Sequence, residues 1–463
     1  MIQKLHKKKV TIIGMSLSGT AAARLAAQQG AAVYVSEYAD SPQLRDTGRR
    51  LRRHGIAVEL GGHTPVFLRG TDLMITSPGV KPQAMPLVWA RERGIALVSE
   101  LEFAGWQCRI PIIAVTGSNG KTTVTTLIGK LLHDAGYRAL VCGNIGLPLS
   151  SVVERGITAD MIVLEVSSFQ MEYTPTFRPR VSVVLNLTQN HLDHHPSLAD
   201  YRAAKARLVA QQRGGDCAVL NFDDRWVKSL QRRTRARSYF FTTHEKLLPA
   251  AARAGIGACG IRDGWIVYQD RAGVRPLVEL TAIRIPGVHN QANVMAGLLA
   301  VRRWRIPRAS LQRTIARFKG VEHRCELVGW RDGIAYVNDA KSTTVDATVK
   351  ALSLYPDRSV VLICGGRNKG SDFRPLRPLA GRKVRAVVAI GEAGEQLCDV
   401  FKTVTAVYRE TSLAGAVRRA RRLAQSGMTV LLSPMCASFD MFRNYEHRGR
   451  VFKDLVRQEL QLP

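Results

Sequence analysis

The sequence predicts an α/β protein of three domains: a Rossmann-like N-terminal domain, a central P-loop-type domain with a mostly parallel sheet and a small antiparallel addition, and a Rossmann-like C-terminal domain. Three observations carry this. Apolar runs of strand length recur along the chain, and most run directly into a glycine-rich or polar loop and then a helical pattern, as in βαβ units. One such junction, Ile110 to Val115 followed by Gly117-Ser-Asn-Gly-Lys-Thr-Thr123, reads as strand, phosphate loop and helix start. At 463 residues the chain is also too long for one core, and the length prior gives about three domains. The expected domains are residues 1–104, 105–308 and 309–463.

The first domain opens with Val10-Thr-Ile-Ile13, the turn Gly14-Met-Ser-Leu-Ser-Gly19, an alanine-rich helix to about Gln29 and a second strand, Ala32 to Ser36, with Glu37 at its tip. Ser16 stands where a dinucleotide fingerprint has its middle glycine, so a nicotinamide cofactor is weakly supported. A further strand, Asp72 to Thr76, ends in the loop Ser77-Pro-Gly-Val80.

The central domain carries the strongest signal. Gly117 and Gly120 let the loop backbone turn its N–H groups toward phosphate oxygens, Lys121 adds a point charge where a γ-phosphate would lie, and Thr122 offers a hydroxyl to Mg²⁺. The spacing G-x-x-G-K-T is two residues shorter than the general phosphate-loop pattern. The runs Met161 to Leu164 and Val181 to Leu187 have the continuous apolar character of buried parallel strands, and they end at Glu165 and at the stretch holding His191. Carboxyl ends of strands in such a sheet line one crevice, so Lys121, Glu165 and His191 should converge in an Mg²⁺-nucleotide site. Lys205, on the helix Asp200 to Val209, reads by itself as a solvated lysine. Short runs between Ser238 and Ile285 suggest the antiparallel addition, and the start at His289 to Asn293 either caps the next helix or holds an adenosine. In the third domain the strands Ile334 to Val337, Ser359 to Ile363, Arg385 to Ile390 and Thr429 to Leu432 again end in polar loops.

The net charge of +30 permits a nucleic-acid or membrane-surface partner, but the basic residues are spread in small clusters such as Arg49 to Arg53, Arg232 to Arg237 and Arg418 to Arg422. Solvated helix faces account for such runs, and no nucleic-acid-binding motif accompanies them. Eight scattered cysteines without a paired spacing fit reduced thiols of a cytoplasmic protein. No apolar stretch reaches membrane-spanning length, so neither membrane nor nucleic acid is expected as a partner.

Taken in order, T-G-S-N-G-K-T at 116, G-N-I-G-L-P at 143, L-E-V-S-S-F-Q at 164, Y-R-A-A-K at 201, H-N-x-x-N at 289, E-H-R at 322, N-D-A-K-S-T at 338 and L-S-P-M-C-A-S-F-D-M-F at 432 make the chain resemble the Mur ligases over essentially its whole length, and among them the members that add D-glutamate. The short phosphate loop is that family's own form. The resemblance implies an ATP-dependent, amide-forming ligase of peptidoglycan precursor synthesis, acting as a monomer on UDP-N-acetylmuramoyl-L-alanine and D-glutamate with ATP and two Mg²⁺. It implies that Gly117, Ser118, Asn119, Gly120, Lys121, Thr122 and Thr123 hold the ATP phosphates, with Asn290, Asn293, Arg324, Asp339 and Lys341 also meeting the nucleotide. Metal ligands would be Thr122, Glu165, His191 and Lys205 as its carbamate; Lys121, Glu165, His191, Lys205 and Arg324 would carry the chemistry. Leu17, Ser18, Glu37, Ser77, Pro78 and Gly79 would hold the uridine diphosphate, Asn144 would face the metal and substrate side, His191 would also meet the substrate, and Thr343, Lys369, Ser438, Phe439 and Tyr445 would receive the D-glutamate.

The chain departs from the family pattern at Ala340, where a serine is usual, at Tyr445, where a phenylalanine is expected, and at Tyr38-Ala39, where a Thr-Arg pair helps grip the uridine. A sister ligase adding another amino acid and a folylpolyglutamate synthetase are the near alternatives, and S-S-F-Q and C-A-S-F-D argue against both. A nucleic-acid-bound ATPase and an NAD-dependent reductase are the alternatives from other classes.

Overall fold

In the computed structural model, which describes residues 5–188, 195, 197–368 and 370–461, Lys9–Ile13 is the middle strand of a five-stranded parallel sheet. The order is Ala57–Leu60, Ala32–Glu37, Lys9–Ile13, Leu73–Thr76, Ala96–Ser99. Alternate residues of a strand face opposite sides of the sheet, and here both sides are apolar. Ile12 packs with Val33, Val35 and Ile75, while Ile13 packs with Met74 and Leu87.

The central sheet has nine strands, in the order Gly273–Glu279, Trp265–Asp270, Gly257–Arg262, Arg237–Phe241, Cys217–Asn221, Val181–Val184, Ile112–Thr116, Met161–Glu165, Ala139–Gly143. The expected antiparallel addition is an extension of this sheet: Arg237–Phe241 and Gly257–Arg262 still pair in parallel, and Trp265–Asp270 pairs antiparallel with the strand on either side. Ile113 and Val115 face a core closed by helices Lys121–His133 and Val288–Val301, whereas Ile112 and Ala114 face one closed by Leu149–Glu154 and Leu198–Ala210. Two buried glutamates tie the N-terminal sheet to the central one through helix Glu100–Gln107. Glu100 accepts from Ser150 N at 2.8 Å, and Glu102 accepts from Phe177 N at 2.8 Å. Burial pushes the Glu100 carboxyl above the usual range.

The chain divides into two compact units, residues 1–318 and 319–463. Helix Arg308–Arg317 packs within the first: Leu311 and Ile315 join its core, and Thr314 donates to Asp134 at 2.8 Å. The second unit is a six-stranded sheet ordered Glu326–Arg331, Ile334–Asn338, Thr429–Leu432, Val360–Gly365, Val384–Ile390, Ala406–Arg409, parallel except at its first strand. Its architecture is again α/β, so the molecule carries three α/β layers, one per sheet. Among the described residues no helix is long and apolar enough to cross a membrane.

Candidate active site

The strand Ile112–Thr116 is buried on both faces, so its backbone is fixed where it ends, and the loop 117–120 turns over its tip. Gly120 adopts φ +82 and serves as N-cap of the helix Lys121–His133. A Cβ there would lie 2.5 Å from Asn293 Oδ1 and 3.2 Å from Leu185, so the position excludes a side chain twice over. The loop is held from the neighbouring strand's end. Ser118 N donates to Asn186 O and Asn119 N to Asn186 Oδ1, both at 2.9 Å, and Ser118 Oγ lies 2.9 Å from Tyr201 Oη. Lys121 folds back so that its Nζ donates to Gly117 O at 2.9 Å and Ser118 O at 3.2 Å. Thr122 and Thr123 open the helix behind it, Thr123 buried and Thr122 half-buried.

Glu165 ends the adjacent strand and is 2 % exposed. Its Oε1 accepts from Asn144 Nδ2 at 2.8 Å, and its Oε2 is buried with no hydrogen-bond partner among the described residues. A buried carboxylate oxygen without a donor is costly unless a cation completes it, and oxygen is the donor Mg²⁺ takes. The residues present therefore fit a hard divalent cation at this strand end.

Lys205 corrects its reading as a solvated residue: it is 1 % exposed. The helix Leu198–Ala210 turns this side chain toward the strand tip, where Nζ donates to Thr116 Oγ1 and Gly117 O, each at 3.1 Å, and sits 4.9 Å above the Tyr201 ring. Lys121 and Lys205 thus share one carbonyl oxygen. Burial, and then the Lys121 ammonium, hold the Lys205 amine well below the ordinary lysine range.

Asn293, 6 % exposed, meets the loop at Gly120, and its Nδ2 donates to Asn290 Oδ1 at 2.9 Å. Of the two readings left open for this helix start, capping by these side chains is not what is observed: Gly287 is the N-cap without a side-chain bond, and Asn290 Nδ2 donates to Pro286 O at 2.7 Å. His191 lies outside the described residues. Lys121, Thr122, Glu165, Lys205, Asn144, Asn290 and Asn293 are all placed in the first unit, around or beside one strand tip.

In the N-terminal sheet, Ser77 Oγ donates to Gly14 O at 3.0 Å and ties the loop of Pro78 and Gly79 to the first turn. Glu37 accepts from Met15 N at 2.7 Å and Ala39 N at 3.0 Å, so its carboxylate ties the first turn to the loop after its own strand. Leu17 and Tyr38 stand 77 % and 76 % exposed beside them, and Ser18 is half-buried. An aliphatic and an aromatic side chain left this bare at a strand-end crevice fit a surface that a ligand covers.

In the second unit Asp339, Lys341 and Thr343 follow the strand Ile334–Asn338, and Ser438 and Phe439 follow its neighbour Thr429–Leu432. Asp339 is 1 % exposed, accepts from Ser433 Oγ at 2.8 Å and Cys325 N at 3.2 Å, and has its carboxyl raised by burial. Arg324 is exposed, Lys341 and Thr343 half-buried, and Lys341 Nζ lies 5.9 Å above the Tyr445 ring. Ser438 is buried, Phe439 is 58 % exposed, and Lys369 lies outside the described residues. The trio Glu322, His323 and Glu326 is close enough to hold an ion, but Lys453 already bridges both carboxylates, at 2.5 and 3.1 Å.

Sequence reasoning missed three residues. Asn186 holds the phosphate loop; a polar residue closing an apolar strand run was the available signal. Tyr201, which opens the Y-R-A-A-K motif, stacks under Lys205, and Arg448 is buried among the carbonyls of the second unit; only Arg448 lacks a local signature.

A glycine loop with its lysine over a parallel-strand tip, beside a buried carboxylate oxygen lacking a partner among the described residues, defines an α/β nucleotide-binding protein of the phosphate-loop type. Three domain models match in order: Mur ligase MurD-like N-terminal domain over residues 8–99, Mur ligase middle domain over 115–301, and Mur ligase, glutamate ligase domain over 323–436. The chain belongs to the Mur ligase family of ATP-dependent ligases. It is 41% identical over 459 residues to UDP-N-acetylmuramoylalanine--D-glutamate ligase of Pelotomaculum thermopropionicum, covering 98% of this chain and 99% of that one. It is 38% identical over 454 residues to the ligase of the same name from Citrifermentans bemidjiense, covering 98% of each chain. The solved UDP-N-acetylmuramate-alanine ligase MurC of Thermotoga maritima shares the fold at TM-score 0.56 and 18% identity, covering 97% of this chain and 99% of that one.

The geometry at Gly120 gives a direct test. Gly120→Ala is expected to raise the KM for ATP about tenfold or more, because the φ and the Asn293 contact together cost on the order of 1–3 kcal/mol. Nucleotide titration of wild type and variant checks this.

Proposed function

We propose that the protein joins D-glutamate to UDP-N-acetylmuramoyl-L-alanine at the expense of ATP, in the cytoplasm and as a monomer. The agreement along essentially the whole chain with relatives named as D-glutamate ligases carries this reading. The expected domains divide these tasks as 1–104 for the nucleotide-sugar substrate, 105–308 for ATP and 309–463 for the amino acid, with residues 309–318 packing on the ATP-binding core.

In this reading the L-alanine carboxylate oxygen attacks the γ-phosphorus of ATP, the bond to the bridging oxygen breaks, and ADP leaves. The D-glutamate amine then attacks the acyl carbon, inorganic phosphate leaves, and the amine gives up a proton. Such transfers need positioning and charge neutralisation more than covalent help. Lys121 moves from the loop's own carbonyls onto the phosphates, and the backbone N–H groups of 117–123 line the same oxygens. Glu165, Thr122, His191 and Lys205 would hold two Mg²⁺, which would supply Lewis-acid neutralisation of the phosphate oxygens. Lys205 does so as a carbamate: its neutral amine forms a bond to carbon dioxide and releases a proton, and the resulting anion sits beside Lys121 in place of a second cation. Asn290 and Asn293 bind the nucleotide, as do Arg324, Asp339 and Lys341. Leu17, Ser18, Glu37 and the loop 77–79 hold the uridine diphosphate, with Tyr38 offering a ring in place of the usual polar grip. Asn144 faces the metal and substrate side, His191 also meets that substrate, and Thr343, Lys369, Ser438, Phe439 and Tyr445 receive D-glutamate.

Phosphate release measured with ATP, UDP-N-acetylmuramoyl-L-alanine and a panel of amino acids tests the reading. Release is expected only with D-glutamate; release with another amino acid, or none required, overturns it.

A further inference from the structure

Resting on that reading of the second unit, we propose that Arg448 is a positioning residue for the amino-acid half of the site, its guanidinium setting three strand-end loops against one another. Arg448 lies in the first turn of helix Tyr445–Leu460 and is 1 % exposed. Among the described residues no carboxylate pairs with it. Instead Nη2 donates to Ala340 O at 3.0 Å and Cys436 O at 3.1 Å, and Nη1 lies 3.4 Å from Gly365 O and 3.5 Å from Ala437 O.

These carbonyls come from the end of Val360–Gly365 and from the loops that follow Ile334–Asn338 and Thr429–Leu432, three strands that are neighbours in the sheet. The loops carry Asp339 and Lys341, the approach to 369, and Ser438 with Phe439. Backbone bonds join them in pairs: Arg367 and Ala437 exchange bonds at 2.9 and 3.0 Å, and Met435 N donates to Ser342 O at 2.9 Å. Arg448 is one side chain that reaches all three. A planar guanidinium presents several donors in a fixed fork, which neither an ammonium nor an amide can match.

Gly366 supplies a second observation. It adopts φ +128, and a Cβ there would lie 2.2 Å from Ala437 O and 3.2 Å from Arg448 Nη1, so the loop backbone is drawn in as closely as the fork requires. Tyr445, one helical turn before Arg448 on the same face, belongs to the proposed D-glutamate contacts. A buried cation with no carboxylate in ion-pair contact among the described residues is expensive to keep for packing alone, since an apolar side chain would fill the space without desolvating a charge.

The inference predicts a selective defect. Arg448→Lys keeps the charge and loses the fork, and a lost hydrogen bond to a charged donor corresponds to about a tenfold or larger rise in the KM for D-glutamate. The KM for ATP and for the nucleotide-sugar should remain within about twofold, and kcat at saturating D-glutamate should be largely kept. Arg448→Ala should show the same selectivity, and methylguanidine should lower its D-glutamate KM where methylammonium does not. A fall in kcat or active fraction with all three KM values unchanged, an equal rise in all three, or no rescue by methylguanidine overturns the proposal. The wild-type amino-acid panel is run first; should it identify another acceptor, the D-glutamate reading falls and Arg448 is judged by the KM for that acceptor.

Discussion

Lys205→Ala is expected to lower kcat on the order of 10³-fold while leaving the protein folded, the size of loss seen when a preorganised electrostatic group is removed from a transition state. The expectation follows from where the amine sits. It is buried, shares the Gly117 carbonyl with Lys121, and is held well below the usual lysine range by burial and then by that neighbour. A second cation here would repel Lys121 and bring no ligand to a metal, so the amine as drawn contributes little to phosphoryl transfer. Carbamylation reverses its sign and makes it a carboxylate-like ligand. The depressed pKa sets the direction with pH: a larger neutral fraction at a given pH favours reaction with carbon dioxide, and acidification, by protonating the amine, removes it. Activity should therefore fall when carbon dioxide is stripped from the buffer and return with bicarbonate. A ¹³C carbamate resonance should appear with labelled bicarbonate in wild type and be missing in Lys205→Ala. An unlabelled, fully active wild-type protein would sink the idea.

The same residue marks the limit of what pattern can read. The phosphate loop, the strand ends at Glu165 and Thr76 and the α/β layering were legible because continuous apolar runs followed by glycine or polar residues have few other physical solutions. Lys205 was not, because its burial depends on how helix Leu198–Ala210 docks on a strand more than eighty residues earlier. In pattern alone it is another cation on a weakly amphipathic helix, and only the resemblance of Y-R-A-A-K to a family motif marked it. Arg448 had no mark of either kind: its partners are backbone carbonyls, which every sequence supplies. The N-terminal end is poorly legible for the opposite reason. Leu17 and Tyr38 are exposed, so no burial pattern constrains them. Asn293 shows a middle case: its place in H-N-x-x-N was visible, but its contact with Gly120 joins residues 173 positions apart.

Glu165→Gln should separate stability from activity. In the protein as folded, one carboxylate oxygen accepts from Asn144 and the other is buried with no partner among the described residues. An amide of the same shape keeps an oxygen for Asn144 and carries no charge into the interior; its NH2 takes the unpartnered place, so the relief is that of the buried charge alone. The melting temperature without nucleotide should be equal to wild type or a few degrees higher. Catalysis should move the other way. If that oxygen is a metal ligand, the variant loses the negative charge that draws Mg²⁺ to the strand end, and kcat/KM should fall on the order of 10²–10³-fold, with part of the loss recovered at high Mg²⁺. The stabilisation that Mg²⁺ with an ATP analogue gives wild type should shrink in the variant, because a ligand stabilises only in proportion to its affinity for the folded state. Paired thermal melts and rate measurements over a Mg²⁺ series read both signs in one preparation. A variant less stable than wild type yet unchanged in its Mg²⁺ dependence would mean that Glu165 serves to brace Asn144 and the turn at Gly143.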